Sequence, residues 1–216
     1  MAESVVHVVR HGEVENPSKV LYGRLPDFHL SERGRAMADL VAAHLSGLPV
    51  AHLRCSPLER ARETMAPIAA AYPHLDVEID VRVVEAANVF EGKVFDSRNT
   101  VLLKPSSWWH LRNPLQPSWG EPYTRIVTRM KAAILDAAAS AGDGHQAIVV
   151  AHQLPIWMLR SHAEGRRLVH DPRRRECTLA SVTSFTVVDG RLSRVDYAEP
   201  ARDLLPVKKR KFSPGA

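Results

Sequence analysis

Five side chains that could take part in a reaction follow predicted β-strands, at or near the point where each strand ends. They are two histidines, two arginines and one glutamate, namely Arg10, His11, Arg60, Glu85 and His152. Because ligands of open α/β sheets bind beyond the carboxyl ends of the strands, we expect these side chains to converge at one edge of a sheet. Their types are those from which a site for a phosphoryl group can be built.

Each residue type has a defined use in such a site. A neutral imidazole such as that of His11 can attack phosphorus and form a covalent intermediate. The guanidinium groups of Arg10 and Arg60 match the oxygens of a phosphoryl group in bidentate geometry. His152 can donate a hydrogen bond to the same oxygens, and a protonated carboxyl group can give its proton to the leaving oxygen. Gly12 would allow the backbone to approach the bound anion. Such a pocket would need no metal ion.

The elements that would carry these residues follow from the periodicity of the apolar residues. The predicted strands are residues 5–9, 50–55, 77–84 and 146–151, followed by a hairpin of residues 179–188 and 192–197. The predicted helices run from Ser31 to Gly47, from an N-cap at Ser56 to about Tyr72, over 121–141 and over about 154–164. The alternation predicts an α/β sandwich with a mostly parallel sheet, and the apolar run 146–151 is typical of a central strand.

Composition excludes several classes of protein. The chain has 216 residues, of which 45% are hydrophobic and 25% charged, as in an ordinary soluble globular protein. It contains no apolar run long enough to span a membrane and no secretory signal at its start. Cys55 and Cys177 are too few for a disulfide framework or a four-thiolate zinc site, so we expect a cytoplasmic location.

Two segments depart from the alternating pattern of a single domain at residues 1–202. Residues 90–122 contain Trp108, Trp109 and Trp119 and are predicted to form a cap or insertion. Residues 203–216 form a basic tail, whose 207–212 segment could contact nucleic acid, although a frayed terminus is the simpler interpretation. A second basic cluster is interpreted as a solvated loop and consists of Arg166, Arg167, Arg173, Arg174 and Arg175.

The motifs, taken in order, resemble those of the histidine phosphatase superfamily, which has the phosphoglycerate mutase-like fold. The matching segments are VVRHGE at 8–13, LSERG at 30–34, CSPLERARET at 55–64, Glu85 with FEG at 90–92, GEPY at 120–123 and VVAHQ at 149–153. The resemblance implies a three-layer α/β/α sandwich and a phosphohistidine on His11. It implies that Arg10, Arg60 and His152 complete the pocket, and that Glu85 is the proton donor. Family members usually act on phosphate monoesters or phosphoanhydrides and need no metal cofactor.

The chain also departs from the family pattern at several positions. The interval from Glu85 to Glu91 is one residue shorter than in the common phosphatase branch, so Glu91 stays an alternative proton donor. Asn16 and Gly23 resemble loop residues that touch the phosphate or substrate, but Asn16 is one residue closer to His11 than usual. Gln153 replaces the commoner glycine, and we expect this change to alter only local backbone freedom.

Three functions remain open from the sequence. The expected one is a metal-independent phosphatase acting on a small phosphorylated metabolite, because the chain lacks the long insertion of cofactor-dependent phosphoglycerate mutases. The alternatives are a mutase of the same fold and an inactive binding module that uses the basic tail. A metal site at His7 and His11 is rejected, since the two residues would be about 13 Å apart on a strand that rises roughly 3.3 Å per residue. Arg62, two positions beyond Arg60 on its helix, is interpreted as structural.

Overall fold

A six-stranded mixed sheet runs through the protein, whose computed structural model describes residues 2–94 and 120–205. The strands are β1 (Glu3–Arg10), β2 (Val50–Cys55), β3 (Val77–Ile79), β4 (Gln146–Ala151), β5 (Val182–Val188) and β6 (Arg191–Ala198). Their order across the sheet is β3-β2-β4-β1-β5-β6. The first four strands are parallel, and the hairpin β5–β6 pairs antiparallel with β1 and within itself. The predicted parallel sheet with an antiparallel edge is therefore confirmed.

In residues 2–94 and 120–205, four α-helices cover the two faces of the sheet. They are α1 (Glu32–Leu45), α2 (Glu59–Ala71), α3 (Tyr123–Ala141) and α4 (Gln153–Ala163). The residues of β4 alternate between two buried clusters, because successive side chains of a strand point to opposite faces. Val149 packs in the cluster with α3 and α4, whereas Ile148 and Val150 pack in the cluster with α1 and α2. This arrangement gives the expected α/β/α sandwich and places β4 in the interior of the sheet.

The third strand is shorter than predicted. It ends at Ile79, and a 3₁₀ helix follows over Val81–Val83. The side chain of buried Asp80 causes the turn, because it accepts a hydrogen bond from the backbone N–H of Arg82 (2.8 Å). In the sequence, Val81 and Val83 alternate with polar residues, as they would in a strand. In the structure, Val81 is exposed and Val83 is buried. Glu85 therefore lies after a short 3₁₀ helix. The sequence had instead predicted that it follows the end of a strand.

The second helix also starts later than predicted. α2 begins at Glu59 with Leu58 as N-cap and no side-chain cap, whereas Ser56 was expected to cap it. By contrast, Ser31 caps α1 as predicted, because its hydroxyl accepts a hydrogen bond from the backbone N–H of Gly34 (3.0 Å). Ser56 is completely buried, and its hydroxyl forms a hydrogen bond with His152.

Most of the predicted cap at 90–122 and of the basic tail at 203–216 lies outside the described residues, including the three tryptophans. At the ends of the cap segment, Asn88 forms a β-bridge with Gly120, and Val20 forms one with Val94. Within 2–94 and 120–205, no helix is long and apolar enough to cross a membrane.

Candidate active site

His11 lies directly after β1 and is 2% exposed. Its Nδ1 atom lies 2.8 Å from the carbonyl oxygen of Gly12. Because a carbonyl only accepts hydrogen bonds, Nδ1 carries the proton, and Nε2 has a free lone pair. Burial, with the charges of Arg60 and Arg10, holds the pKa of His11 well below its usual value. The imidazole is therefore neutral at physiological pH and can act as a nucleophile through Nε2.

Two buried guanidinium groups lie beside this imidazole. Arg10 donates from Nη1 to the carbonyl oxygen of Cys177 (2.7 Å), and Arg60 donates from Nη2 to the carbonyl oxygen of Gly23 (2.5 Å). The other nitrogens, Nε and Nη2 of Arg10 and Nε and Nη1 of Arg60, are buried and have no partner among the residues that the structure describes. Because an unpaired buried donor is unfavourable, and more so on a charged group, these four nitrogens suit the oxygens of an anion.

His152 completes the group on the side of β4. It follows the last residue of that strand, and its ring centroid lies 5.1 Å from that of His11. Its Nε2 atom lies 2.7 Å from the hydroxyl oxygen of Ser56, and Nδ1 is buried with no partner in the described part of the chain. Burial and nearby cations, Arg60 first, lower the pKa of His152 well below its usual value, so the ring is neutral.

Glu85 faces the same cations. Burial raises the pKa of its carboxyl group, and the backbone N–H of Ala86, with the charges of Arg60, Arg175 and Arg10, opposes that rise. The carboxyl oxygen Oε1 accepts a hydrogen bond from this N–H (2.8 Å). A raised pKa keeps a larger protonated fraction than an exposed glutamate has at the same pH, as a proton donor requires.

A network of charged side chains holds the backbone around Glu85. Arg24 donates from Nε to the carbonyl oxygen of Glu85 (2.6 Å), and Arg129 donates from Nη1 to that of Val84 (2.7 Å). Glu121 joins the two guanidinium groups, at 3.0 Å from Nη2 of Arg24 and 2.9 Å from Nε of Arg129. This network explains the position of the GEPY motif, whose glutamate anchors the segment that carries Glu85.

The alternative donor and the two loop residues lie around Gly23. The carboxylate of Glu91 accepts a hydrogen bond from the backbone N–H of Asn88 (3.1 Å) and lies where a side chain on Gly23 would stand, 2.4 Å from the position of its Cβ. Gly23 has a φ of 42° and offers its carbonyl oxygen to Arg60. The side-chain amide of Asn16 pairs with both backbone groups of Val20, which braces the loop.

Several residues of this region were not predicted from the sequence. Tyr22 is buried, with its ring 4.7 Å from Cζ of Arg60 and 6.4 Å from the ring of His11. Thr64 joins the site strand to α2, because its hydroxyl accepts from the backbone N–H of Gly12 (3.1 Å) and donates to the carbonyl oxygen of Arg60 (2.7 Å). Tyr22 adjoins Gly23 in the sequence and Thr64 ends the CSPLERARET segment, so their proximity to predicted residues was the available signal.

Two further assignments from the sequence need correction. Arg175 was interpreted as part of a solvated loop, but it is half-buried, and its positive charge opposes the rise in the pKa of Glu85. The other arginines of the cluster are exposed, namely Arg166, Arg167, Arg173 and Arg174. Gln153 was expected to change only backbone freedom, but its side chain donates to the carbonyl oxygen of Cys177 (3.2 Å) and accepts from Arg175 (3.3 Å).

The residues interpreted as structural lie away from this group. Arg62 is exposed, whereas Arg60, two residues earlier on α2, is fully buried. His7 uses both ring nitrogens within the sheet, since Nδ1 and Nε2 each lie 2.8 Å from an oxygen, that of Ser184 and that of Gln146 respectively.

Known proteins resemble this chain in sequence and in fold. The model of the histidine phosphatase superfamily (branch 1) matches residues 6–199. The uncharacterized protein Rv0525 of Mycobacterium tuberculosis is 52% identical over 92% of this chain and 98% of its own length. Among solved structures, the mycobacterial glucosyl-3-phosphoglycerate phosphatase Rv2419c superimposes with a TM-score of 0.72 at 21% identity, covering 90% of this chain and 97% of its own. A phosphoglycerate mutase from Bacillus anthracis does so with a TM-score of 0.68 at 21% identity, covering 94% and 96%.

Proposed function

The chain belongs to the histidine phosphatase superfamily, and from this membership we propose that it is a phosphatase that works through a phosphohistidine on His11. Its substrate is a small metabolite that carries a phosphate monoester or phosphoanhydride. The phosphate is bound by Arg10, Arg60 and His152, and Glu85 donates the proton to the leaving group. The reaction needs no metal ion.

One observation carries the proposal. The Nε2 lone pair of His11 is free, because Nδ1 is committed to the Gly12 carbonyl, and it lies among buried guanidinium nitrogens without partners in the described chain. Phosphoryl transfer depends mainly on positioning and on stabilising negative charge on the phosphoryl oxygens. A neutral nucleophile surrounded by fixed cations meets both requirements.

The reaction follows in two steps that share the same residues. In the first, Nε2 of His11 forms a bond to phosphorus, the bond from phosphorus to the leaving oxygen breaks, and protonated Glu85 gives its proton to that oxygen. In the second, the Glu85 carboxylate takes a proton from a water molecule whose oxygen forms a bond to phosphorus, and the bond from phosphorus to Nε2 of His11 breaks. Inorganic phosphate leaves, and both His11 and Glu85 return to their starting states.

A mutase is the second candidate, and the similarity to a solved phosphoglycerate mutase favours it. Both reactions begin with the same phosphohistidine and differ in whether water or a second hydroxyl group accepts the phosphoryl group. The phosphatase is preferred because the chain lacks the long insertion of the cofactor-dependent mutases, and because a phosphatase is also among its structural neighbours.

The test of the phosphatase is to detect the intermediate and the product together. Wild-type protein mixed with excess p-nitrophenyl phosphate should release phosphate and gain one acid-labile phosphoryl group in its intact mass. His11→Asn should do neither, and EDTA should not reduce the rate. Loss of activity on chelation would refute the metal-free mechanism. Conversion of 3-phosphoglycerate to 2-phosphoglycerate with a trace of the bisphosphate, faster than phosphate release, would assign the mutase instead.

A further inference from the structure

Arg175 is joined to the proposed phosphate pocket through a short chain of hydrogen bonds. The carbonyl oxygen of Cys177 accepts from Nη1 of Arg10 (2.7 Å) and from the side-chain amide of Gln153 (3.2 Å). The amide oxygen of Gln153 in turn accepts from Nη1 of Arg175 (3.3 Å). Because Gln153 directly follows His152, this link ties the loop between α4 and β5 to the edge of the sheet where the site lies.

A histidine orients Arg175 from the other side. Nδ1 of His170 lies 2.7 Å from the carbonyl oxygen of Leu168 and therefore carries the proton. Nε2 is then an acceptor, and it receives a hydrogen bond from Nε of Arg175 (2.8 Å). The His170 ring is itself held between Tyr123 and Trp157, with ring centroids 5.8 Å away in each case.

The hydrogen-bond partners of Arg175 are neutral, which distinguishes it from Arg173 and Arg166. Arg173 pairs with Asp171 and Arg166 pairs with Glu164. In residues 2–94 and 120–205, Arg175 has no ion pair, and its Nη2 nitrogen has no hydrogen-bond partner. A half-buried guanidinium that is oriented by an amide and an imidazole keeps its full positive charge and one free donor nitrogen. Such a group is suited to bind an anion.

The electrostatic influence of Arg175 indicates which part of a substrate it would meet. Its charge acts on the carboxyl group of Glu85, as do those of Arg60 and Arg10. Glu85, as proton donor, must lie beside the leaving oxygen. Arg175 is therefore a cation that influences the proposed proton donor and that lies outside the Arg10–Arg60 pair.

We propose that Arg175 forms an anion subsite that binds a second negatively charged group of the substrate, a carboxylate or a second phosphate, on its leaving-group side. This inference rests on the proposed phosphatase function. It narrows the substrate class to phosphate esters with an anionic leaving group. The oriented side chain of Gln153 at the position where the family commonly has glycine is part of the same subsite.

The experiment compares matched ligands as inhibitors of p-nitrophenyl phosphate hydrolysis. The carboxylate arm uses 3-phosphoglycerate against glycerol 3-phosphate, and the second-phosphate arm uses fructose 1,6-bisphosphate against fructose 6-phosphate. In the wild type, at least one doubly anionic ligand should bind about tenfold or more tightly than its partner, as expected for a charge-assisted contact. Arg175→Gln should remove this preference, whereas Arg173→Gln, in the same loop with an exposed side chain, should keep it. The arm that shows the preference identifies the group.

The other outcomes are equally decisive. Equal binding within both pairs by the wild type would overturn the subsite, as would a preference that survives Arg175→Gln. A loss of kcat/KM in Arg175→Gln that is larger for alkyl phosphates than for p-nitrophenyl phosphate, with the binding preference intact, would assign Arg175 to tuning Glu85 instead. A circular dichroism spectrum and an unfolding midpoint like those of the wild type show that Arg175→Gln is folded. If this variant does not fold, Arg175→Lys tests the subsite instead, and it should keep part of the preference. If the wild type hydrolyses no ester, the phosphatase proposal fails, and calorimetric Kd values for the same pairs still test the subsite.

Discussion

The hydroxyl oxygen of Ser56 lies 2.7 Å from Nε2 of His152, and both side chains are completely buried. The same hydroxyl lies 3.5 Å from the backbone nitrogen of Leu58, which can only donate. The serine hydroxyl therefore accepts from Leu58 and donates its hydrogen bond to Nε2 of His152. The proton of the neutral His152 ring is then on Nδ1. That tautomer presents an N–H group, and so a phosphoryl oxygen can be bound by a ring that carries no charge.

The first prediction concerns this hydrogen bond. Ser56→Ala removes the donor that selects the tautomer of His152, and it should lower kcat by about tenfold, the equivalent of one hydrogen bond of about 1.4 kcal/mol. KM should change less, because Arg10 and Arg60 still bind the phosphate. Steady-state kinetics with p-nitrophenyl phosphate measure both values. The control is Ser46→Ala, whose hydroxyl bonds only to a carbonyl of its own helix end; an equal loss in the control would contradict the role of Ser56.

The sequence predicted the strand ends well, because buried parallel strands have a strong apolar pattern. Arg10 is the last residue of β1, and His11 and His152 directly follow β1 and β4, whose positions were confirmed. Glu85 was predicted at the end of a strand, but a 3₁₀ helix capped by Asp80 precedes it, because a short capped turn and a strand can share the same alternating sequence. The contacts of Arg175 could not be predicted, because its partners Gln153 and His170 come close to it only through the folding of the loop between α4 and β5.

The second prediction separates Glu85 from Glu91 as the proton donor. Glu85→Gln should lower kcat by about a hundredfold or more for an alkyl phosphate, whose leaving oxygen needs a proton. The loss should be far smaller for p-nitrophenyl phosphate, because p-nitrophenolate leaves without one. Glu91→Gln should show no such dependence on the leaving group. If the leaving-group dependence appeared in the Glu91 variant alone, the assignment of Glu85 would be reversed.

The third prediction is a pH profile set by His11 and Glu85. The pKa of His11 lies below its usual 6.5, so kcat/KM should rise with pH on a limb that lies below that value. The pKa of Glu85 lies above its usual 4.5, so the protonated donor persists to higher pH than in an exposed glutamate and is then lost as pH rises. The profile should therefore be bell-shaped, and Glu85→Gln should retain the acid limb without the alkaline one. An alkaline limb unchanged in this variant would show that another group is responsible.

The fourth prediction concerns the packing that fixes the turn after His11. A Cβ atom on Gly12 would lie 2.5 Å from the carbonyl oxygen of Gly34, at the start of α1. Gly12→Ala must therefore displace backbone, and it should lower the free energy of unfolding by about 1–3 kcal/mol. Denaturant unfolding measures this loss. Gly47→Ala is the comparison, because its Cβ would meet nothing within 4 Å and its strain comes only from a φ of 77°. We expect it to cost about 1–2 kcal/mol, from the backbone conformation alone.

The last prediction tests whether Glu121 positions Glu85 from a distance. Glu121 is the shared partner of Arg24 and Arg129, and these two arginines hold the carbonyl groups of Glu85 and Val84. Glu121→Gln removes the charge that keeps both guanidinium groups in place, while preserving the shape of the side chain. The segment that carries Glu85 should then shift or gain motion, and a proton donor displaced by a fraction of an ångström transfers its proton poorly.

Glu121→Gln should show the same dependence on the leaving group as Glu85→Gln, but with a smaller loss of kcat. kcat for alkyl phosphates should fall by about tenfold, and the loss for p-nitrophenyl phosphate should be smaller, as general acid catalysis requires. Asp136→Asn is the matched control, because Asp136 also pairs with an arginine of this region, Arg82, but at the exposed surface. A merely structural role of Glu121 would lower activity on all esters by the same factor. Only a role in positioning the acid makes the loss depend on the leaving group, and the ratio of the two losses measures it without reference to overall stability.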